Sequence, residues 1–280
     1  MQPQARILPP ILHAPRLTTA SCEPVREIEI TDELGIRRAI IIPAERALTV
    51  FTDGRELVTL TTLGASPELL VLGFLCNQQL IECAAIEAIS VDWNLGVAQV
   101  TSRQPVRGAA AESQRIVAGS SGQGSIYARL ISRVDAVKLP RIDEARIRAS
   151  TLRQLLDTMR QQDSIHRHAR SVHSCALFQG DSLLVSVEDV GRHNALDTIS
   201  GWMALHGIRG GDKTLFTTGR LTGEMVIKSA QCGVPIVVSR NGVSSMGYDV
   251  AKKIGMALFG RAVGRHFQCF VGNERLQADD

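Results

Sequence analysis

The chain has little of what would place it at a glance. Its 280 residues hold two tryptophans, two tyrosines and seven phenylalanines, too few for the aromatic platforms that stack single-stranded nucleic acid. Neither sign of charge dominates: 31 Lys and Arg against 28 Asp and Glu leave a formal +3, an excess too small to point to nucleic acid as a partner. No apolar run approaches the ~20 residues of a bilayer-spanning helix, so no membrane partner is expected. At the N-terminus a short apolar stretch is broken by Pro9, Pro10 and Pro15. Those prolines spoil the helix of a signal peptide, and residues 1–24 read as a disordered tail of a cytoplasmic protein. The six cysteines, at 22, 76, 83, 175, 232 and 269, form no C-x-x-C. They read as small buried hydrophobes, with neither a disulfide nor a structural zinc site expected. His173-Ser-Cys175 lacks the second ligand pair a zinc deaminase needs, since Cys232 stands alone before Gly-Val-Pro. P-loop, G-x-S-x-G and strand-borne G-x-G-x-x-G motifs are absent as well.

What is present alternates in a readable way. Val25–Ile30 and Ile36–Ile42 read as two strands joined by a turn at Asp32–Gly35, and Ala47–Thr52 with Leu57–Thr62 as a hairpin around Asp53-Gly54. Ser66-Pro67-Glu68 is a helix start, with Ser at N-cap, Pro at N1 and an acid in the first turn. The apolar helix that follows should be deeply buried. Ile86–Thr101 supplies two more short strands. From Gln104 to Arg141 the pattern dissolves into small and charged residues, read as a mobile loop, and Asp143–Gln162 reads as an amphipathic connector helix. The remaining segments are strands at His173–Gln179, Ser182–Glu188, Lys213–Thr218, Val234–Arg240 and Arg265–Phe270, with helices between the later ones. That order predicts an α/β core with a mixed, mainly parallel sheet covered on both faces. The expected division is residues 25–141 as a smaller β-rich/α region and 142–280 as the α/β core.

The densest chemistry lies where three successive strands end. Glu188-Asp-Val-Gly-Arg-His-Asn194 sets two carboxylates, Arg192, His193 and Asn194 around a glycine at a strand-to-helix junction. A polar helix cap would use one or two such residues, not five. Thr217-Thr-Gly-Arg220 follows the next strand, where Gly219 permits close backbone approach and Arg220 offers a fork to a phosphate. Ser239-Arg240-Asn-Gly repeats the arrangement. In open α/β sheets ligands bind outside the carboxyl ends of the strands, and helix N-termini there favour anions. Taken together, these turns predict a pocket for a phosphate-bearing ligand. Arg261-Ala-Val-Gly-Arg-His266 forms a further positive turn before the last strand.

With these residues in view, the chain resembles the FdhD/NarQ family, accessory proteins required for formate dehydrogenase activity. The resemblance rests on Val187-Glu-Asp-Val-Gly-Arg-His-Asn-Ala-Leu-Asp197 with Gly201-Trp202, Thr218-Gly-Arg220, Glu224-Met-Val226 with Lys228, and Gly233-Val-Pro235. Upstream, Asp53-Gly-Arg-Glu-Leu57 and Glu68 through Leu75 fit too, so that it spans roughly residues 25 to 276. It implies a cytidine-deaminase-like three-layer α/β/α core without zinc. It also implies that the protein is a sulfur carrier which accepts persulfide sulfur from a cysteine desulfurase. That sulfur would pass to the molybdenum or tungsten bis(molybdopterin guanine dinucleotide) cofactor before its insertion into formate dehydrogenase. The implied cofactor-binding residues are Glu188, Arg192, His193, Asn194, Gly219, Arg220 and Arg240, with Arg261, Ala262, Val263, Gly264, Arg265 and His266 in the family's nucleotide-contacting segment. There Arg261 and Val263 stand where the family's Phe-x-Arg falls. No side chain is expected to bind a metal directly, and a homodimer is implied.

One departure bears on chemistry. Where the family carries a pair of cysteines, this chain reads Ser121, Gly122, Gln123 and Gly124, and a persulfide needs a thiolate. Cys175 and Cys232 are the nearest remaining thiols, in apolar contexts that disfavour one. Three functions stay open on the sequence: the sulfur carrier, a cofactor-binding chaperone without sulfur relay, and an unrelated nucleotide enzyme using Glu188, Asp189 and His193 as acid/base groups.

Overall fold

The computed structural model describes residues 14–106, 116–117, 134 and 137–279. β1 (Arg16–Leu17) is followed by a two-stranded ribbon, β2 (Val25–Thr31) and β3 (Arg37–Pro43). Asp32 closes its turn by accepting from the N–H groups of Leu34 and Ile36, both at 3.0 Å. β4 (Arg46–Thr52) and β5 (Arg55–Thr62) form the expected hairpin. Its turn residues Asp53 and Gly54 both have positive φ, 51° and 72°, as a two-residue loop matched to strand twist requires. β6 (Ile86–Asp92), β7 (Val97–Ser102) and β8 (Ile116–Val117) complete a six-stranded sheet of order β1-β6-β7-β4-β5-β8.

α1 (Pro67–Asn77) has Ser66 at N-cap and Pro67 at its start, and only Leu69 escapes full burial. A helix apolar all round must be covered all round. The first sheet covers one side. The other lies against α4 (Arg192–Leu205), with Gly73 and Gly201 at the crossing; a Cβ on Gly73 would sit 1.7 Å from the Asp197 carbonyl oxygen.

The second half holds β9 (Ile147–Arg148), α2 (Ala149–Gln161), the short α3 (Ile165–His168), β10 (His173–Gln179), β11 (Ser182–Asp189) and α4. Then come β12 (Lys213–Thr217), α5 (Gly223–Gln231), β13 (Ile236–Ser239), α6 (Ser245–Ile254), β14 (Ala257–Val263), β15 (His266–Val271) and β16 (Leu276–Gln277). The second sheet has the order β11-β10-β12-β13-β14-β15. Leu152, Leu155 and Leu156 of α2 pack with Ala176, Phe178, Phe216, Val238 and Phe259 on one face. On the other, α4 and α5 pack Ile199, Met225 and Val226 against Cys175, Leu177, Leu215 and Val237. The core is therefore three-layered α/β/α, as expected, with α1 and the first sheet stacked beyond α4.

Several expectations are corrected. The sheet is mixed but not mainly parallel: only β12–β13 and β13–β14 run parallel, whereas β10 is antiparallel to both its neighbours and β14 to β15. Ala257–Val263 is a strand rather than the end of a helix, because Gly255 at φ 69° caps α6 and the short apolar run beyond it has no decisive period. The connector helix begins at Ala149, six residues late, since Ile147 and Arg148 pair with Leu276 and Gln277. Within the expected tail, residues 14–24 are tied to the body: Arg16 pairs with Ala88, and the Thr18 hydroxyl and Ala20 N–H donate to Glu68 at 2.6 and 2.9 Å. A two-residue strand leaves no periodic trace. Ile116–Val117, inside the expected mobile loop, pairs with Val58 and Thr59 of β5; the rest of that loop lies largely outside the described residues. Finally, Cys76 and Cys83 form a disulfide. Seven residues apart they look scattered, but the chain reverses at Gln79, φ 51°, and returns the second thiol to the end of α1.

Candidate functional site

β11, β12, β13 and β14 all run in one direction, so their carboxyl ends share a rim with the start of β10. The register makes them neighbours there: Ser174 faces Glu188, Cys175 faces Thr217, and Thr217 faces Ser239. The bends thus converge as expected. Side-chain alternation then divides their residues between the two faces of the sheet.

On the α2 face lies an open cleft of about 1050 Å³. Glu188, Arg240, Ala262, Val263 and Gly264 line it, together with Ser174 and Thr218. Arg160, Arg167 and Arg170 also line it, with His166 beside them. These four were missed. Arg160 lies at the end of the expected connector helix, and the other three come from the basic stretch His166–Arg170 just after it, which carries no motif. Glu188 does not face the cleft as a free carboxylate. It accepts from the Ile165 and His166 N–H groups, at 2.6 and 3.2 Å, and from the Ser174 hydroxyl at 2.6 Å. It therefore holds α3, which presents Arg167, in place. Arg170 and Ser171 both adopt left-handed φ, 53° and 51°, a costly conformation for non-glycine residues that concentrates at ligand sites.

The segment expected to contact nucleotide is split. Ala262, Val263 and Gly264 reach the cleft. Arg261, at φ 51°, donates its N–H to the Asn241 carbonyl, while Arg265 turns toward Asp157 at 3.8 Å and His266 is exposed. These three do not line the cleft. The β14–β15 hairpin, unforeseen in the sequence, is the reason.

The α4–α5 face gathers Arg192, His193, Gly219 and Arg220. Arg192 lies along Gly219, where a Cβ would fall 2.6 Å from the Arg192 Cδ. Burial, and then the charges of Lys228 and Arg192, hold His193 down to about 2, so its ring is neutral. Its Nε2 lies 3.6 Å from Glu224 Oε2. Beneath it runs a buried polar chain. Lys228 Nζ is 2.7 Å from Asp197 Oδ2, both side chains 2% exposed, and 3.6 Å from Glu224. Asn77 on α1 donates to Asp197 at 2.8 Å and accepts from Ser200 at 3.2 Å.

Asn194 and Asp189 prove structural. Asn194 donates to the Thr61 carbonyl and to Asp189, at 2.6 and 3.0 Å. Asp189 accepts from the Thr62 hydroxyl at 2.5 Å and from the Leu63 and Gly191 N–H groups. They join the two sheets. Glu188, Asp189 and His193 consequently form no acid/base constellation, which removes the nucleotide-enzyme reading. The thiols are equally constrained. Burial pushes Cys175 up to about 12 and Cys232 up to about 11, so neither is a nucleophile. Residues 121–124 lie outside the described residues. Among the described residues no helix is long and apolar enough to cross a membrane.

Comparison with known proteins agrees on one family. The model of the FdhD/NarQ family matches residues 43–277. The sulfur carrier protein FdhD of Bacillus licheniformis is 30% identical over 238 residues, covering 83% of this chain and 89% of that one. The protein of the same description from Bacillus pumilus is 29% identical over 234 residues, covering 83% and 88%. The crystal structure of a protein assigned as a formate dehydrogenase accessory protein, from Desulfotalea psychrophila, superposes with a TM-score of 0.71 at 23% identity, over 90% of this chain and 98% of that one. That likeness shows a shared fold.

Proposed function

The chain belongs to the FdhD/NarQ family, and on that premise we propose that it is a formate dehydrogenase accessory protein, a sulfur carrier serving the molybdenum or tungsten bis(molybdopterin guanine dinucleotide) cofactor before its insertion. The observation that carries the reading is the family match across residues 43–277, which takes in the whole strand-end rim. The cleft suits such a client. It is large, about 1050 Å³, and Arg160, Arg167, Arg170 and Arg240 line it, donors whose planar forks match phosphate oxygens. Ser174 and Thr218 add hydroxyls, and Glu188 fixes the wall that carries Arg167. In this reading the arginines hold the pyrophosphate, and the cleft walls shield the bound cofactor from water. A cysteine desulfurase and formate dehydrogenase are the partners, in the cytoplasm, and the protein works as a homodimer.

A specific observation supports a second reading, a cofactor chaperone without sulfur relay: residues 120–124 hold no cysteine. The free thiols that are not fully buried are Cys22 and Cys269, and Cys269 is raised by burial and by Glu274. One experiment tests both readings. The chain is expressed in cells lacking their own accessory protein, formate dehydrogenase activity is measured, and persulfide is trapped after incubation with a cysteine desulfurase. Restored activity with label on Cys22 or Cys269 supports the carrier. Restored activity without label supports the chaperone. No restoration overturns both.

A further inference from the structure

We propose that the outer edge of β3 is the surface through which two copies of this chain pair, antiparallel about Ile40, so that two two-stranded ribbons become one four-stranded sheet. This gives the proposed homodimer its interface, rests on that reading alone and is independent of the cleft. Apart from Pro43, where the family match begins, the ribbon lies outside the matched residues.

The ribbon stands apart from the body. β2 and β3 pair only with each other among the described residues, and none of their side chains belongs to the three hydrophobic cores. A lone two-stranded ribbon is marginal in water. By the register, Arg26, Ile28 and Ile30 share one face with Arg38, Ile40 and Ile42, so that face carries a block of four isoleucines. Ile40 and Ile41 keep 38% and 37% of their surface exposed. An exposed apolar edge of this kind is a template for a further strand.

The two edges differ in what they accept. The Ala44 N–H donates to the Pro24 carbonyl at 2.9 Å and the Asp32 N–H to the Ile36 carbonyl at 3.0 Å. Hydrogen-bonded pairs alternate along an antiparallel ladder, so the even-numbered residues of β3 bond to β2, while Arg37, Ala39 and Ile41 turn their N–H and C=O groups outward. On β2 the outward residues are Val25, Glu27, Glu29 and Thr31. Two copies related by a two-fold axis pair these outward residues with one another. On β2 every register of substantial overlap sets glutamate against glutamate: Glu27 on Glu27, Glu27 on Glu29, or Glu29 on Glu29. Like charges directly opposite are destabilising, so that edge rejects its own copy. β3 carries no such conflict. With Ile40 on the axis, Ala39 opposes Ile41, Arg38 opposes Ile42 and Arg37 opposes Pro43, so the whole strand pairs and no two charges meet. Ala39 and Ile41 exchange both backbone bonds across the axis, and the Arg37 N–H donates to the Pro43 carbonyl of the second copy. The arginines keep their own carboxylates, Arg37 with Glu29 at 3.2 Å and Arg38 with Asp32 at 2.7 Å. Such a pairing is isologous and closes at two copies, whereas β2 of one copy on β3 of the next would grow without limit.

The oligomeric state of the full chain is measured by sedimentation velocity across a concentration series, for wild type, Ile40→Lys and Ile28→Lys, with circular dichroism confirming the fold. Ile40→Lys sets two ammonium groups opposite each other across the axis. Ile28→Lys makes the same change on the same face, on the strand away from the pairing edge. Wild type should sediment as a dimer. Ile40→Lys should raise its dissociation constant at least tenfold, and Ile28→Lys should leave it within threefold. In Ile40→Cys the two thiols face each other with Cα atoms about 4.5 Å apart, so mild oxidation should cross-link it into a covalent dimer far faster than wild type or Ile28→Cys; this decides the matter if Ile40→Lys does not fold. A dimer undisturbed in Ile40→Lys, or Ile40→Cys cross-linking no faster than wild type, overturns this surface and leaves the homodimer standing. A dimer lost equally in Ile28→Lys means stacking on the ribbon face, and species growing beyond the dimer mean open β2-on-β3 pairing; either overturns the proposal. A monomeric wild type overturns the surface and the homodimer together, and none of these outcomes bears on GDP binding in the cleft.

Discussion

Replacing Gly201 by alanine sets two effects of opposite sign against each other. Gly201 lies inside α4 with no positive φ, so alanine is conformationally permitted. By helix propensity alone the change should stabilise the protein by about 1 kcal/mol. The structure predicts the reverse. A Cβ there would lie 2.0 Å from the Leu69 carbonyl oxygen, 2.9 Å from its carbon and 3.0 Å from the Gly73 nitrogen. All three are backbone atoms of α1, so no side chain can swing aside. Ordinary contact requires the helices to separate by roughly 1 Å or more, loosening a close-packed interior. Overpacking costs typically about 1–3 kcal/mol and occasionally more; with rigid backbone on both sides we expect a net loss of about 2–4 kcal/mol. For a chain of this size that lowers Tm by roughly 5–15 °C. Denaturant unfolding followed by far-ultraviolet circular dichroism measures it. A Gly201→Ala protein as stable as wild type, or more so, would refute the packing of α1 on α4, and with it the view that the two sheets form one body.

Other outcomes follow from the buried charges. Lys228→Met leaves Asp197 and Glu224 without their cation and should cost about 3–5 kcal/mol, part of it recovered by adding Asp197→Asn; a single-variant loss below about 1 kcal/mol in urea unfolding would contradict the network. His193 is held near 2 in the fold against 6.5 ordinarily, so below about pH 6.5 the unfolded chain binds a proton the native state refuses. Stability should therefore fall with pH by up to about 1.4 kcal/mol per unit, partly offset by Glu224, which burial raises. His193→Gln should flatten that slope between pH 7 and 5, and an unchanged slope would show that His193 is not its source. Glu188→Gln should loosen α3, seen as faster hydrogen exchange of the Ile165 and His166 amides, with GDP affinity reduced several-fold; unchanged exchange would deny Glu188 its positioning role.

Much of this was readable beforehand because local chemistry and tertiary structure agreed. Asp53-Gly54 demanded a tight hairpin, Ser66-Pro67 began a helix, and the apolar runs of β10 and β11, joined by the turn at Gly180-Asp181, pair as expected. What was missed has a common physical cause: it depends on partners distant in sequence. The two-residue strands β1, β8 and β9 exist only through pairing. β14 is a short apolar run whose identity is decided by its neighbours. At the site, residue types foretold a polar rim but not its direction. Whether Glu188 and Asp189 point to one face or to opposite faces is settled by strand parity and by what packs there. Asp189 and Asn194 looked like ligand groups because a junction between two sheets needs the same polar atoms as a binding site. Arg167 and Arg170 looked idle because nothing local tells a solvated basic run from a cleft wall.

The central claim, that the cleft at the carboxyl ends of the second sheet holds a guanine-linked pyrophosphate, is tested most directly by calorimetric titration of GDP into the wild-type chain and Arg240→Ala, with ADP as the control. The account predicts measurable GDP binding, weaker ADP binding, and a loss of about 1.5–3 kcal/mol for Arg240→Ala, the value of a hydrogen bond to a charged group. No GDP binding, or GDP and ADP bound alike and unaffected by Arg240→Ala, would contradict it.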